Sequence, residues 1–296
     1  MSAEGLASQK PLGSESEAPA AKPILYKYPY RNKYFRCDMI DNFPLRLSVW
    51  DNFSLHLEKQ ALPFTARTLS EMQKVLKEPC TMNVNPEKMQ TYYMFRDVKR
   101  QEDEGIFREN EIRYDVTIVP VMDFCGEFNK TLGHYHENFD EKMTFPELYE
   151  ILEGNAAYLL QKRKGNENRK IERAFLVEAK EGDKLIIPPN YGHITVNSGS
   201  RALVMDNLVG EGFRSDYAPY EETKGGCCFV TKNGIEKNKN YSEVPEAEKI
   251  SAEEFNSMAS RKISEDLTQD RAYSLFLKKP SLFEWLKKPD KAGWNV

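Results

Sequence analysis

The 296-residue chain predicts an all-β core of the jelly-roll kind, set between a mixed N-terminal region and a helical C-terminal extension. Two observations predict it. Between Tyr114 and about Lys232, short β-rich runs succeed one another: YDVTIVPV, AAYLLQ, RAFLV, KLIIPP, HITVN, RALVMDNL and CCFVTK. Turn signals separate them, among them Glu153-Gly154-Asn155, Lys164-Gly165-Asn166, Glu181-Gly182-Asp183 and Asn197-Ser198-Gly199. Many short strands at this spacing indicate a sandwich or barrel, and a hydrophobic content of 40% is enough to fill its core.

The other segments follow from their own patterns. Residues 1–22 are rich in Ala, Ser, Glu, Pro and Gly, with too few apolar anchors to offset the entropy of ordering, and read as a disordered tail. Residues 23–113 read as a mixed segment packed on the barrel, with an aromatic cluster (Tyr26, Tyr28, Tyr30, Tyr34, Phe35) and one helical signal. That signal is a capping box, Thr68 with Glu71, followed by Leu69, Met72 and Leu76 at helical spacing. Residues 114–232, which hold the β-rich runs, read as one domain and carry the candidate site residues described below. Residues 233–296 are charged and partly helical: Ser251 with Glu254 suggests a second cap, and Tyr273, Phe276, Leu277, Phe283, Trp285 and Leu286 supply apolar anchors to lay over the barrel or a neighbouring subunit.

Composition narrows the function. With 42 basic and 46 acidic residues and a formal net charge of −4, the chain lacks the concentrated positive charge of a nucleic-acid surface. No run approaches the roughly 20 apolar residues that cross a bilayer, and the first residues, MSAEGLASQK, do not read as a secretory signal. The expectation is a cytoplasmic protein without membrane or nucleic-acid partner. Its five cysteines, Cys37, Cys80, Cys125, Cys227 and Cys228, are scattered and read as free thiols. The adjacent Cys227 and Cys228 point to opposite faces of a strand and read as structural.

Three of the only four histidines fall in two short segments, His134 and His136 in TLGHYH and His193 in PPNYGHITVN. In an extended strand alternate side chains share a face, so His134 and His136 aim their imidazoles the same way. Glu147 lies between the segments and adds a hard oxygen donor. Three imidazoles and a carboxylate suit a divalent first-row metal: iron first, with manganese, nickel or zinc as alternatives. Gly133 allows close backbone approach, and Pro188 and Pro189 fix the path into His193. His56 lies outside both segments and takes no functional role.

The run Thr117–Tyr149 and the run Pro188–Asn197 closely resemble the two signature segments of the cupin-type glucose-6-phosphate isomerases known from archaea. The first pattern is met by Thr117, Gly126, Glu127, Thr131, Gly133, His134, His136, Glu147 and Tyr149; the second by Pro188, Pro189, His193, Thr195 and Asn197. The resemblance implies a cupin barrel, a metal held by His134, His136, Glu147 and His193, and a sugar-phosphate pocket lined by Thr117, Thr131, Gly133, Tyr149 and Tyr217. It further implies a homodimer that interconverts glucose 6-phosphate and fructose 6-phosphate in glycolysis or gluconeogenesis. Glu147 is the expected base of a proton transfer through a cis-enediolate, with Tyr149 beside it; a hydride shift is the rival route. Eight residues before Tyr217, where relatives carry tyrosine, this chain has Val209. The alternatives are a cupin dioxygenase using the same cage and a non-catalytic sugar-binding or sensing cupin.

Overall fold

The computed structural model describes residues 45–49, 52–58 and 60–296. The expected N-terminal tail, the aromatic cluster at Tyr26–Phe35 and Cys37 lie outside them. Two main sheets are built from ten strands: β1 Thr65–Thr68, β2 Gln90–Phe95, β3 Ile112–Val119, β4 Glu147–Glu153, β5 Asn155–Lys164, β6 Glu167–Lys180, β7 Lys184–Ile187, β8 Tyr191–Asn197, β9 Leu203–Gly210 and β10 Glu248–Ser251. One sheet runs β7-β4-β9-β3-β2-β1 and the other β8-β5-β6-β10. All neighbours are antiparallel except β6 and β10. Facing each other across a shared core, they form the cupin jelly-roll barrel.

Alternation along the strands divides the core in two. In β4 and β9, Tyr149, Ile151 and Met205 join Leu159, Val177 and Ile194 of the facing sheet inside the barrel. Their neighbours Leu148, Leu152, Val204 and Leu208 face outward, into a second core with Tyr114, Val116 and Ile118 of β3. Where both faces of the six-stranded sheet are buried, as along β7 and β9, the strands read as nearly continuous apolar runs.

The C-terminal extension covers the outer face. Tyr273, Phe276, Phe283, Trp285 and Leu286 fill the second core. The carboxylate of Glu150 on β4 pins the start of the helix Ala272–Lys278: Oε2 accepts the Ala272 N–H at 2.6 Å and Oε1 accepts from Arg271 at 3.0 Å. The extension therefore packs on this chain's own barrel. It also adds β10 to the edge of the four-stranded sheet, and Ser251 then caps the helix Ala252–Ala259 through a complete capping box with Glu254.

Three expectations are adjusted. The capping box of Thr68 and Glu71 is present, but its helix ends at Met72, and Leu76 packs beyond it beside Leu69. Strands β1 and β2 hydrogen-bond into the barrel sheet, so the segment before residue 114 supplies barrel wall as well as packing. Cys80 and Cys125 form a disulfide, which corrects the reading of both as free thiols. Cysteine spacing carries no trace of this pairing, which arises where the chain after the first helix crosses the turn at Cys125. Cys227 and Cys228 are free and buried.

Candidate metal centre and substrate cavity

The two histidine segments lie side by side. Thr131 N–H donates to Thr195 O at 2.8 Å, Thr195 N–H returns to Thr131 Oγ1 at 3.0 Å, and His134 and His193 form an isolated antiparallel bridge. Gly133 is required at the approach: its φ is +87°, and an added Cβ would stand 2.5 Å from Ile194 Cγ1 and 3.0 Å from the Tyr220 ring. A second short pairing, Tyr135–His136 with Ser215–Asp216, draws the Tyr217 segment to the same place.

His134, His136, Glu147 and His193 each aim a ligand atom at one point, all four atoms lying within 4.8 Å of one another. His136 Nδ1 is 2.6 Å from Phe145 O, a contact that a ring N–H must donate, which leaves the Nε2 lone pair facing inward. That Nε2 stands 3.1 Å from Glu147 Oε2, and neither atom has a hydrogen-bond partner although both are buried. A proton or a metal cation between these two atoms would satisfy both. Burial, reinforced by the neighbouring imidazoles, holds His134 and His193 well below the ordinary histidine value, so both present neutral nitrogens. The residues fit a divalent metal by orphaned atoms, donor type and protonation alike.

A cavity opens from this cluster. His134 and Glu147 line it and His136 and His193 lie behind, while Thr117, Thr131, Gly133, Tyr149 and Tyr217 all line its wall. Every residue expected in the site is therefore gathered here. The Tyr149 hydroxyl lies 3.2 Å from His193 Nε2. Burial, and after it the charge of Glu147, raises this phenol well above its ordinary value, so it remains a neutral donor. Tyr217 lies 5.4 Å from the His134 ring, and the Arg67 guanidinium stacks 5.0 Å above the Tyr217 ring. Val209 is fully buried, opposite Glu147 on one side and Arg113 on the other. His56 lies on the strand Leu55–Leu57, near Ser54, apart from the cavity.

Sequence reasoning missed several lining residues, chiefly Tyr92, Arg96, Arg113, Asn207 and Phe213. Period-two alternation held a signal for some of them: once Thr117 faces inward on β3, Asp115 and Arg113 must share its face.

Residues 66–246 match the model of the family described as Glucose-6-phosphate isomerase (GPI). The glucose-6-phosphate isomerase of Thermococcus litoralis is 27% identical over 127 residues, 43% of this chain and 61% of that protein. That of Thermococcus gammatolerans is 29% identical over 129 residues, 44% of this chain and 62% of the relative. The chain thus matches about three fifths of the length of these relatives. Among solved structures, a Bacillus subtilis oxalate decarboxylase aligns with a TM-score of 0.28 at 16% identity, over 43% of this chain and 26% of that one. An 11S globulin from Wrightia tinctoria gives 0.31 at 10% identity, over 42% and 26%. Since the family model spans more than half of the residues, and its match takes in the whole metal cluster and cavity, the chain belongs to the glucose-6-phosphate isomerase family.

Proposed function

We propose that this chain is a metal-dependent isomerase that interconverts glucose 6-phosphate and fructose 6-phosphate, serving glycolysis or gluconeogenesis in the cytoplasm as a homodimer. The observation that carries the reading is the continuity between the four-ligand cluster and a cavity walled by Thr117, Thr131, Gly133, Tyr149 and Tyr217, in a chain of this family. Among the described residues no helix is long and apolar enough to cross a membrane. The catalytic unit is residues 114–232 together with β1 and β2.

His134, His136, Glu147 and His193 would hold the metal, iron in the first instance, with manganese, nickel or zinc as substitutes. Bound there, a divalent ion supplies Lewis acidity toward the oxygens of the open-chain sugar. Glu147 lines the cavity and is the base: it takes the proton from the carbon beside the carbonyl. The electron pair left behind closes the C1–C2 double bond of a cis-enediolate, and Glu147 returns the proton to the neighbouring carbon. Tyr149 donates its hydroxyl proton to the carbonyl oxygen as charge develops there, and takes a proton back from the neighbouring hydroxyl as that oxygen becomes the new carbonyl, so both the phenol and Glu147 end the cycle as they began it. Thr117 and Thr131 offer hydroxyls to the substrate, and Gly133 lets it approach the backbone. The proton route is preferred to a hydride shift because a carboxylate is the cavity's natural proton carrier.

The test is a coupled assay of fructose 6-phosphate conversion, run on purified protein before and after chelation and after adding single divalent metals. Turnover that disappears with chelation and returns with metal supports the reading. Saturable sugar-phosphate binding without turnover under every metal would replace it with a sensing role, and oxygen consumption would replace it with a dioxygenase.

A further inference from the structure

The inner face of the six-stranded sheet carries two arginines that the chemistry above leaves unused. Arg113, Asp115 and Thr117 succeed one another on the inward positions of β3, and Arg96 follows directly on the end of β2. Asp115 is fully buried and takes both arginines on one carboxylate. Arg96 Nη1 donates to Oδ2 at 2.6 Å, while Arg113 donates from Nε to Oδ1 at 2.9 Å and from Nη2 to Oδ2 at 3.0 Å. The Asp97 backbone N–H adds a further donor to Oδ1 at 2.9 Å. Two formal positive charges thus share one formal negative charge.

Both guanidiniums line the cavity, with side chains 45% and 26% exposed. Clamped from one side by Asp115, they keep donors to spare: Arg113 Nη1 and Arg96 Nε make no hydrogen bond among the described residues. A fork held this way is pre-organised for a second planar or tetrahedral oxyanion. The hydroxyls of Thr117, Thr131 and Ser215 line the same cavity.

Register places this pair relative to the reacting end. Glu147 on β4 lies opposite Val209 on β9, and Val209 lies opposite Arg113 on β3. Arg113 is therefore two strands from Glu147 in one row, on the order of 10 Å between backbones. An open-chain ligand with its carbonyl end at Glu147 and a charged group at its other end would extend along that row.

We infer that Arg96 and Arg113, held by Asp115 as a positioning residue, form the anion-binding end of the cavity and select a phosphorylated sugar over the neutral one. The inference rests on the isomerase reading for the identity of the sugar, while the anion site itself stands on the arginine geometry. A phosphoryl dianion has the oxygens to engage both forks at once, which a neutral hydroxymethyl group does not.

The experiment compares wild-type protein with Arg96→Gln, Arg113→Gln and Arg113→Lys, each first checked for unchanged metal content and melting temperature. Binding of inorganic phosphate, fructose 6-phosphate and fructose is measured by calorimetry, with KM and kcat for fructose 6-phosphate alongside. Each glutamine variant is expected to weaken phosphate and fructose 6-phosphate binding about tenfold or more, to raise KM more than it lowers kcat, and to leave fructose binding unchanged. Arg113→Lys keeps the charge but loses the fork, and should fall between. Phosphate affinity within about twofold of wild type in both folded glutamine variants overturns the inference, even if the enzyme turns over. Loss of phosphate binding on glutamine substitution, in a wild-type protein that binds phosphate without isomerising, upholds the anion site and removes the isomerase reading instead.

Discussion

His134 and His193 donate their backbone N–H groups to each other's carbonyl oxygens, at 3.2 and 3.1 Å. This reciprocal pair joins two segments far apart in sequence and fixes two imidazoles against one another, with ring centroids 4.4 Å apart. The placement of these two candidate ligands is thus written into main-chain hydrogen bonding, and a change in backbone path at either segment disturbs both.

Gly133→Ala tests that dependence. The positive φ and the contacts with Ile194 and Tyr220 leave no room for a methyl group. The variant should lose about 2–4 kcal/mol of stability and bind metal more weakly, as read by denaturant unfolding and metal analysis. Wild-type stability and metal content would show that the segment tolerates the shift.

Tyr149→Phe removes the hydroxyl beside His193 while keeping the ring packing against Tyr158, 5.5 Å away. Turnover of fructose 6-phosphate should fall about 10- to 100-fold with metal content unchanged. The wild-type phenol is raised above its ordinary 10.0, so it adds no alkaline limb to the pH–rate profile below that value.

Asp206 gives a pH dependence on the outer face of the six-stranded sheet, opposite to the face that carries Glu147. It faces the second core, where burial, and after it the charge of Glu150, raises its carboxyl well above the ordinary 3.8; the Tyr114 hydroxyl donates to it at 2.6 Å. Above 3.8 the unfolded chain releases this proton while the fold keeps it, so the native state binds more protons and stability falls as pH rises. Asp206→Asn preserves an acceptor for Tyr114 and cannot ionise. It should melt higher than wild type at pH 8, with the advantage shrinking toward pH 4; a pH-independent difference would contradict this.

The Cys80–Cys125 disulfide closes a sequence separation of 45 residues. In the chain-entropy account such a crosslink contributes about 3–4 kcal/mol. Thermal melts with and without dithiothreitol should separate accordingly, and a Cys80→Ser, Cys125→Ser variant should match the reduced protein and no longer respond to reductant.

Much of this architecture was legible. The runs from YDVTIVPV to CCFVTK coincide with β3, β5 to β9 and the strand Cys228–Thr231, because β-branched runs bounded by glycine turns specify local structure. The His-x-His spacing and Glu147 pointed to one cluster, and the four side chains do converge. Less legible were β1, β2 and β4: β1 is short and polar, and in β2 and β4 the residues Tyr92 and Glu147 interrupt the aliphatic pattern where they line the cavity. Arg113 was hidden for the same reason: a charged residue inside a strand reads as solvent-facing until the sheet shows that its face is a cavity wall. Arg96, just past the end of β2, reads as a loop residue until the fold brings it to the same wall. The disulfide depends on a tertiary crossing that spacing does not encode.

Bound divalent metal and fructose 6-phosphate turnover, measured together in wild-type protein and in a folded His134→Ala, His136→Ala double variant, decide whether the four-residue cluster is a catalytic metal site. About one metal per chain with isomerase activity is expected in the wild type, and loss of both in the variant, with no recovery on adding metal. Full turnover in a metal-free double variant would contradict it.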